Sequence, residues 1–199
     1  MANTQLGGPN SQDTQRKERE YMFVKVCGLT TEEQIDWAVE LGYSAIGVVG
    51  TTKSKRYVEP ARARELAAHA RGRIRSFVVA FDKTEVEAVI DDFDVVQLYN
   101  WTALPNLAYC SAAAPAPEQR SEYFFYDAST GSGVFAEFPD WLDTVPGKVV
   151  LAGGLSAGNV AGVIEAHRPY GVDVSSSVEL APGVKSFDAM RDFLRATEG

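Results

Sequence analysis

Few side chains in this 199-residue chain are placed to do chemistry. Cys27 ends the apolar run Phe23-Val24-Lys25-Val26-Cys27, and Asp127 ends Tyr123-Phe124-Phe125-Tyr126-Asp127. A thiol and a carboxyl at such positions supply a base and an acid for proton transfer. The competing readings are a small buried hydrophobe for Cys27 and a turn-capping side chain for Asp127. Both histidines, His69 and His167, fall in helical stretches, so proton transfer falls to Cys27 and Asp127. Arg56 is either an anion-binding guanidinium or a solvated loop charge. Gln97 and Tyr99 sit where the run Val95-Val96-Gln97-Leu98 ends. Gly153-Gly154 lets backbone N–H groups approach an anion, and Ser175-Ser176-Ser177 adds hydroxyls and amides. The competing reading of these two stretches is a pair of tight turns.

The elements that must position these residues alternate in type. Short apolar runs read as strands at Phe23–Cys27, Ala45–Val49, Ser76–Phe81, Asp94–Leu98, Leu107–Cys110, Tyr123–Asp127, Val149–Ala152 and Gly171–Val174. Thr30 with Glu33 reads as a capping box for a helix ending at Gly42. Pro60 opens a second helix, Thr84 with Glu87 another, Ser156 another, and Ser186 the last. Trp101–Asn106 is too short for a good helix, and Pro115–Glu118 reads as a loop. Strands that alternate with helices mean a parallel sheet. Eight such units predict a compact (β/α)₈ barrel with shortened helices around strand five. The alternative is an open doubly wound sheet, but Cys27-Gly28-Leu29-Thr30 is not its glycine-rich fingerprint. In a barrel the site lies at the C-terminal ends of the strands, with phosphate held by the loops after strands seven and eight. The residues named above occupy those places, which points to an enzyme for a small phosphorylated substrate.

The polar first twenty residues cannot bury enough to order themselves and read as a flexible tail, with 21–199 as one barrel domain. An alternative for the tail is a partner arm. Nineteen basic against twenty-seven acidic residues give a net charge of −8, which argues against nucleic acid. No apolar run is long enough to span a bilayer. Two cysteines make no disulfide framework, no Cys-x-x-Cys pair suggests zinc, and no signal sequence opens the chain, so the expected address is cytoplasmic.

Several stretches resemble the phosphoribosylanthranilate isomerase family of tryptophan biosynthesis. They are Val24-Lys25-Val26-Cys27-Gly28-Leu29-Thr30, Ser54-Lys55-Arg56-Tyr57-Val58, Val95-Val96-Gln97-Leu98, Leu151-Ala152-Gly153-Gly154-Leu155, and Arg168 to Ser176 with Val178-Glu179 and Pro182-Gly183. The resemblance implies an Amadori rearrangement of N-(5′-phosphoribosyl)anthranilate by acid–base chemistry, without cofactor or metal. It implies Cys27 as base and Asp127 as acid. It implies Arg56 and Gln97 as substrate contacts, and Gly153, Gly154, Ser175, Ser176 and Ser177 as the phosphate site. The expected assembly is a monomer or homodimer. The chain departs from the family pattern at Tyr99-Asn100, where it usually reads His-Gly, at Ser177, where it usually has glycine, at Thr130-Gly131-Ser132-Gly133 and at Phe138-Pro139-Asp140-Trp141. Two other functions remain in view: a diverged relative acting on a related aminosugar phosphate, and a barrel that only binds a phosphorylated ligand. The histidine-pathway sister isomerase uses two aspartates, and Cys27 occupies the first place.

Overall fold

A computed structural model of the chain describes residues 22–129 and 137–198. The expected tail and the turn Thr130–Gly133 lie outside the described residues. Eight parallel strands close into a barrel in chain order: β1 (Phe23–Cys27), β2 (Ala45–Val49), β3 (Arg75–Ala80), β4 (Val95–Leu98), β5 (Leu107–Ser111), β6 (Tyr123–Asp127), β7 (Lys148–Ala152) and β8 (Gly171–Val174). Closure is made by β1 pairing with β8, from Phe23 opposite Gly171 to Val26 opposite Val174. An open sheet would leave those two edges apart, so the doubly wound alternative is excluded. A short hairpin of β9 (Glu179–Ala181) and β10 (Val184–Lys185) follows the barrel.

The helices are unevenly distributed. Helix α1 (Glu32–Leu41) and helix α2 (Pro60–Ala70) cover the first strands, and α3 (Val160–His167) and α4 (Phe187–Ala196) the last. Thr31, one residue later than expected, caps α1 by accepting from the Gln34 N–H at 3.3 Å. Gln34 returns the favour by taking the Thr30 N–H at 2.9 Å. Ser186 caps α4 as expected, accepting from the Ala189 N–H at 3.3 Å, and α4 buries Met190 and Phe193. The helix expected from Thr84 does not form; two 3₁₀ turns, Lys83–Glu85 and Ile90–Asp92, replace it. Val86 and Val89 are buried, so the apolar signal was real. Asp91, Asp92 and Asp94, however, would crowd negative charge at that helix's C-terminal end. The Glu85 carboxylate also turns back to the N–H groups of Phe81 and Asp82, at 2.8 and 3.0 Å. Among the described residues no α-helix lies between β3 and β7, so the shortening expected around strand five extends to both sides.

Side chains alternate inward and outward along each strand. The inward set Phe23, Ala45, Phe77, Val95, Ala108, Cys110, Tyr123, Phe125 and Val150 forms its own buried cluster, separate from the larger one beneath the helices. Phe23, Phe77, Tyr123 and Phe125 pack as the floor, with ring centroids 5.4–6.4 Å apart. Above that floor the lumen turns polar. Lys25, Gln97, Asp127 and Asp173 are all buried there, toward the C-terminal ends of the strands. A lumen with that gradient has one end fit for packing and one fit for chemistry.

Candidate active site

The polar end opens into a cavity of about 510 Å³, a size suited to a small ligand. Its wall includes Cys27, Arg56, Gln97, Tyr99, Cys110, Asp127, Gly153, Gly154, Asp173, Ser175 and Ser176. Nine of the ten residues singled out from the sequence therefore meet in one place. The exception is Ser177. It adopts an ordinary backbone conformation, but it is exposed and its hydroxyl donates to the Leu155 carbonyl at 2.6 Å. The expectation that this hydroxyl joins an anion cradle is corrected, because a nearer carbonyl acceptor captures it. The hydroxyl of Ser175 is likewise turned to a carbonyl, that of Cys27, at 2.9 Å. These two bonds tie the loop after β8 to the loop after β7 and to the end of β1, leaving backbone amides and the Ser176 hydroxyl as what the loop offers an anion.

Cys27 lies above Lys25, two residues earlier on the same face of β1. The Lys25 ammonium is fully buried, 3.0 Å from Asp173 Oδ2, and lies over the rings of Phe77 and Phe125 at 5.5 and 5.2 Å. Burial opposes its charge, yet Asp173 and Cys27 outweigh burial and hold the Lys25 pKa above its ordinary value. Burial pushes the Cys27 thiol up, and the neighbouring Lys25 ammonium pulls against that rise. Space for this cluster comes from Gly47 on β2. A Cβ there would stand 2.8 Å from Cys27 Sγ and 3.0 Å from Lys25 Nζ.

Asp127 ends β6 with its carboxylate held from two sides. Oδ1 accepts from the Ser129 N–H at 2.9 Å and the Ser129 hydroxyl at 2.6 Å, while Oδ2 accepts from the Tyr99 hydroxyl at 2.8 Å. Gly153 makes this possible: its φ is +93° and a Cβ would stand 2.8 Å from Asp127 Oδ1. Only glycine meets both demands without strain. Gln97 is buried in the wall, and its Oε1 has no hydrogen-bond partner. A buried acceptor without a donor is costly.

Arg56 packs its stem over Gly28 and gives Nε and Nη2 to Glu179 at 2.8 and 2.7 Å. Lys185, buried, reaches the same carboxylate at 2.8 Å. Burial works against the Glu179 charge, but the two cations outweigh it and hold its pKa below the ordinary carboxylate value. Arg56 is thus no freely solvated loop charge; it is held at the cavity wall by a carboxylate that is itself held by a second cation. Among the described residues no group of three or more histidine, cysteine or acidic side chains could hold a metal ion, and no helix is long and apolar enough to cross a membrane.

The model of the N-(5′-phosphoribosyl)anthranilate (PRA) isomerase family matches residues 111–196. An N-(5′-phosphoribosyl)anthranilate isomerase of Rhizobium etli (strain CIAT 652) is 34% identical over 210 residues, covering 88% of this chain and 94% of its own. The chain belongs to the phosphoribosylanthranilate isomerase family. Solved members of that family share its shape. TrpF from Jonesia denitrificans superposes with a TM-score of 0.77 at 31% identity, over 89% of this chain and 97% of its own. A phosphoribosyl anthranilate isomerase in complex with reduced 1-(o-carboxyphenylamino)-1-deoxyribulose 5-phosphate superposes with a TM-score of 0.70 at 27% identity, over 89% of this chain and 99% of its own. Set beside the family resemblance, the sequence reading missed Lys25, Asp173, Glu179 and Lys185 as parts of the site. Lys25 and Asp173 carried a signal, a charge in an otherwise apolar buried strand. Glu179 carried none, because its partner Arg56 lies 123 residues away, and Lys185 joins the site only through Glu179.

Proposed function

We propose that the chain catalyses the Amadori rearrangement of N-(5′-phosphoribosyl)anthranilate to 1-(2-carboxyphenylamino)-1-deoxyribulose 5-phosphate, a step of tryptophan biosynthesis. The observation that carries the reading is that Cys27 and Asp127, from β1 and β6, line one cavity with the loops after β7 and β8. Asp127, as general acid, delivers a proton to the furanose ring oxygen; the C1′–O bond breaks and the nitrogen lone pair forms an iminium. The Cys27 thiolate then takes the C2′ proton, and the electron pair of that C–H bond moves to the C1′–C2′ bond, giving an enolamine. Tautomerisation yields the ketone. Both steps are general acid–base catalysis and call on no cofactor.

Each remaining group has a task in this scheme. The Lys25 ammonium favours the thiolate form of Cys27 against burial. The backbone around Gly153-Gly154 and Ser175-Ser176 takes the phosphate, as loops in these positions do in barrel enzymes. Arg56 faces the anthranilate carboxylate with the N–H groups that Glu179 leaves over, and the guanidinium fork suits such a pairing. Gln97, in the cavity wall, is a contact for the sugar end of the substrate. The test is turnover: purified protein should consume phosphoribosylanthranilate with loss of its fluorescence. Cys27→Ala and Asp127→Asn should each lower kcat by at least ~10²-fold. Substrate binding without turnover by the wild-type chain would instead mean a binding protein.

A further inference from the structure

Tyr99 lies in the cavity wall, and the proposed chemistry leaves it without a task. It follows β4 directly, and its hydroxyl crosses to β6 to donate to Asp127 Oδ2 at 2.8 Å. The ring is itself held: it packs on Phe81 at 5.1 Å between centroids, and the Tyr99 N–H donates to the Ala80 carbonyl at 3.3 Å. Burial pushes the phenol's pKa well above its ordinary value, with Cys110 and Asp127 adding to the rise, so the hydroxyl remains a donor. The Asp127 side chain has a broad terminal torsion, so the donors on its two oxygens set the plane of the carboxyl group. Tyr99 supplies a donor on Oδ2 from a different strand, which ties that plane to β4.

We propose that Tyr99 is the positioning residue for Asp127: its hydroxyl fixes the plane of the carboxyl group that delivers the proton. This rests on the assignment of Asp127 as acid. The competing role is a packing aromatic, which needs the ring and not the hydroxyl. Tyr99→Phe separates the two, because it keeps the ring and removes only the donor.

The experiment is a kinetic cycle of Tyr99→Phe, Asp127→Asn and the double variant, with thermal melts of each. Tyr99→Phe should lower kcat ~10-fold, the scale of a modest misplacement of a catalytic group, and leave KM within about twofold. In the Asp127→Asn background the same change should alter residual turnover by less than about twofold, since no acid remains to be positioned. Wild-type kcat in Tyr99→Phe overturns the proposal, as does an equal fall in both backgrounds or an effect confined to KM. Full activity in Asp127→Asn would overturn the acid assignment itself, whatever Tyr99→Phe does. Should Tyr99→Phe melt far below the wild type, Tyr99→Leu provides the check: a packing role predicts that it loses far more activity than Tyr99→Phe, whereas the positioning role predicts losses in kcat of similar size.

Discussion

Gly47→Ala tests whether the Cys27–Lys25 cluster depends on the space that β2 leaves beside it. The added Cβ would stand 2.8 Å from Cys27 Sγ and 3.0 Å from Lys25 Nζ. Unstrained contacts to carbon begin near 3.5 Å, so the sulfur must retreat by roughly 0.7 Å or more. Neither neighbour yields easily. Cys27 has a single side-chain torsion, and Lys25 is pinned by Asp173 at 3.0 Å and by the rings of Phe77 and Phe125. Overpacking of this kind costs about 1–3 kcal/mol, which for a chain of this length lowers Tm by about 2–12 °C. A displacement approaching ~1 Å at a reacting group costs up to ~10²-fold in rate, so kcat should fall between 10- and 100-fold, on the order set by that displacement. The assay is steady-state loss of substrate fluorescence beside a thermal melt. Gly162→Ala in α3 is the control, because a Cβ there meets nothing within 4 Å; it should leave kcat unchanged and stabilise the helix by about 0.5–1 kcal/mol. If Gly47→Ala keeps kcat within twofold of wild type, the thiol is not confined as described and the reasoning fails.

Lys25→Met leaves Asp173 buried and uncompensated, and breaking a buried pair in this way costs about 3–5 kcal/mol. It also removes the cation that favours the Cys27 thiolate, so the rising limb of kcat against pH should move to higher pH; an unmoved limb would deny Lys25 that role. Wild-type stability should fall with rising pH above about 8.5, the ordinary thiol pKa. Burial raises the pKa of both Cys27 and Cys110 in the folded state, so the unfolded chain releases protons first. Chemical denaturation at pH 7 and pH 10 measures this, and Cys110→Ala should flatten the slope. Glu179→Gln leaves Lys185 buried without its counter-ion and loosens Arg56; KM should rise more than kcat falls, and an unchanged KM would count against Arg56 as a substrate contact. Ser177→Gly removes the bond to the Leu155 carbonyl and should cost about 0.5–1.5 kcal/mol of stability, read as a lowered Tm, instead of the near-neutral change a purely ligand-facing hydroxyl would give.

The sequence alone determined the strands, because buried parallel strands are continuous apolar runs and these are separated by clear breakers. All eight appear within a residue or two of their expected ends. It also determined which strand ends carry chemistry, since a strand's last residue is local information: Cys27, Asp127, Gly153, Gly154 and Ser175 could be placed by counting. Helix identity was less legible where tertiary demands won. Val86 and Val89 kept their buried role while the helix around them shrank to 3₁₀ turns, because charge at its end and the reach of Glu85 favoured the tighter form. What only the tertiary structure decided is who holds whom. Lys25 meets Asp173, Arg56 meets Glu179 and Tyr99 meets Asp127 across 148, 123 and 28 residues. Those partners are set by barrel closure and strand register, which bring C-terminal strand ends together whatever their distance in the chain. The hydroxyl of Ser177 makes the same point in reverse. Its place in the loop was readable, but its partner was decided by a carbonyl on the neighbouring loop.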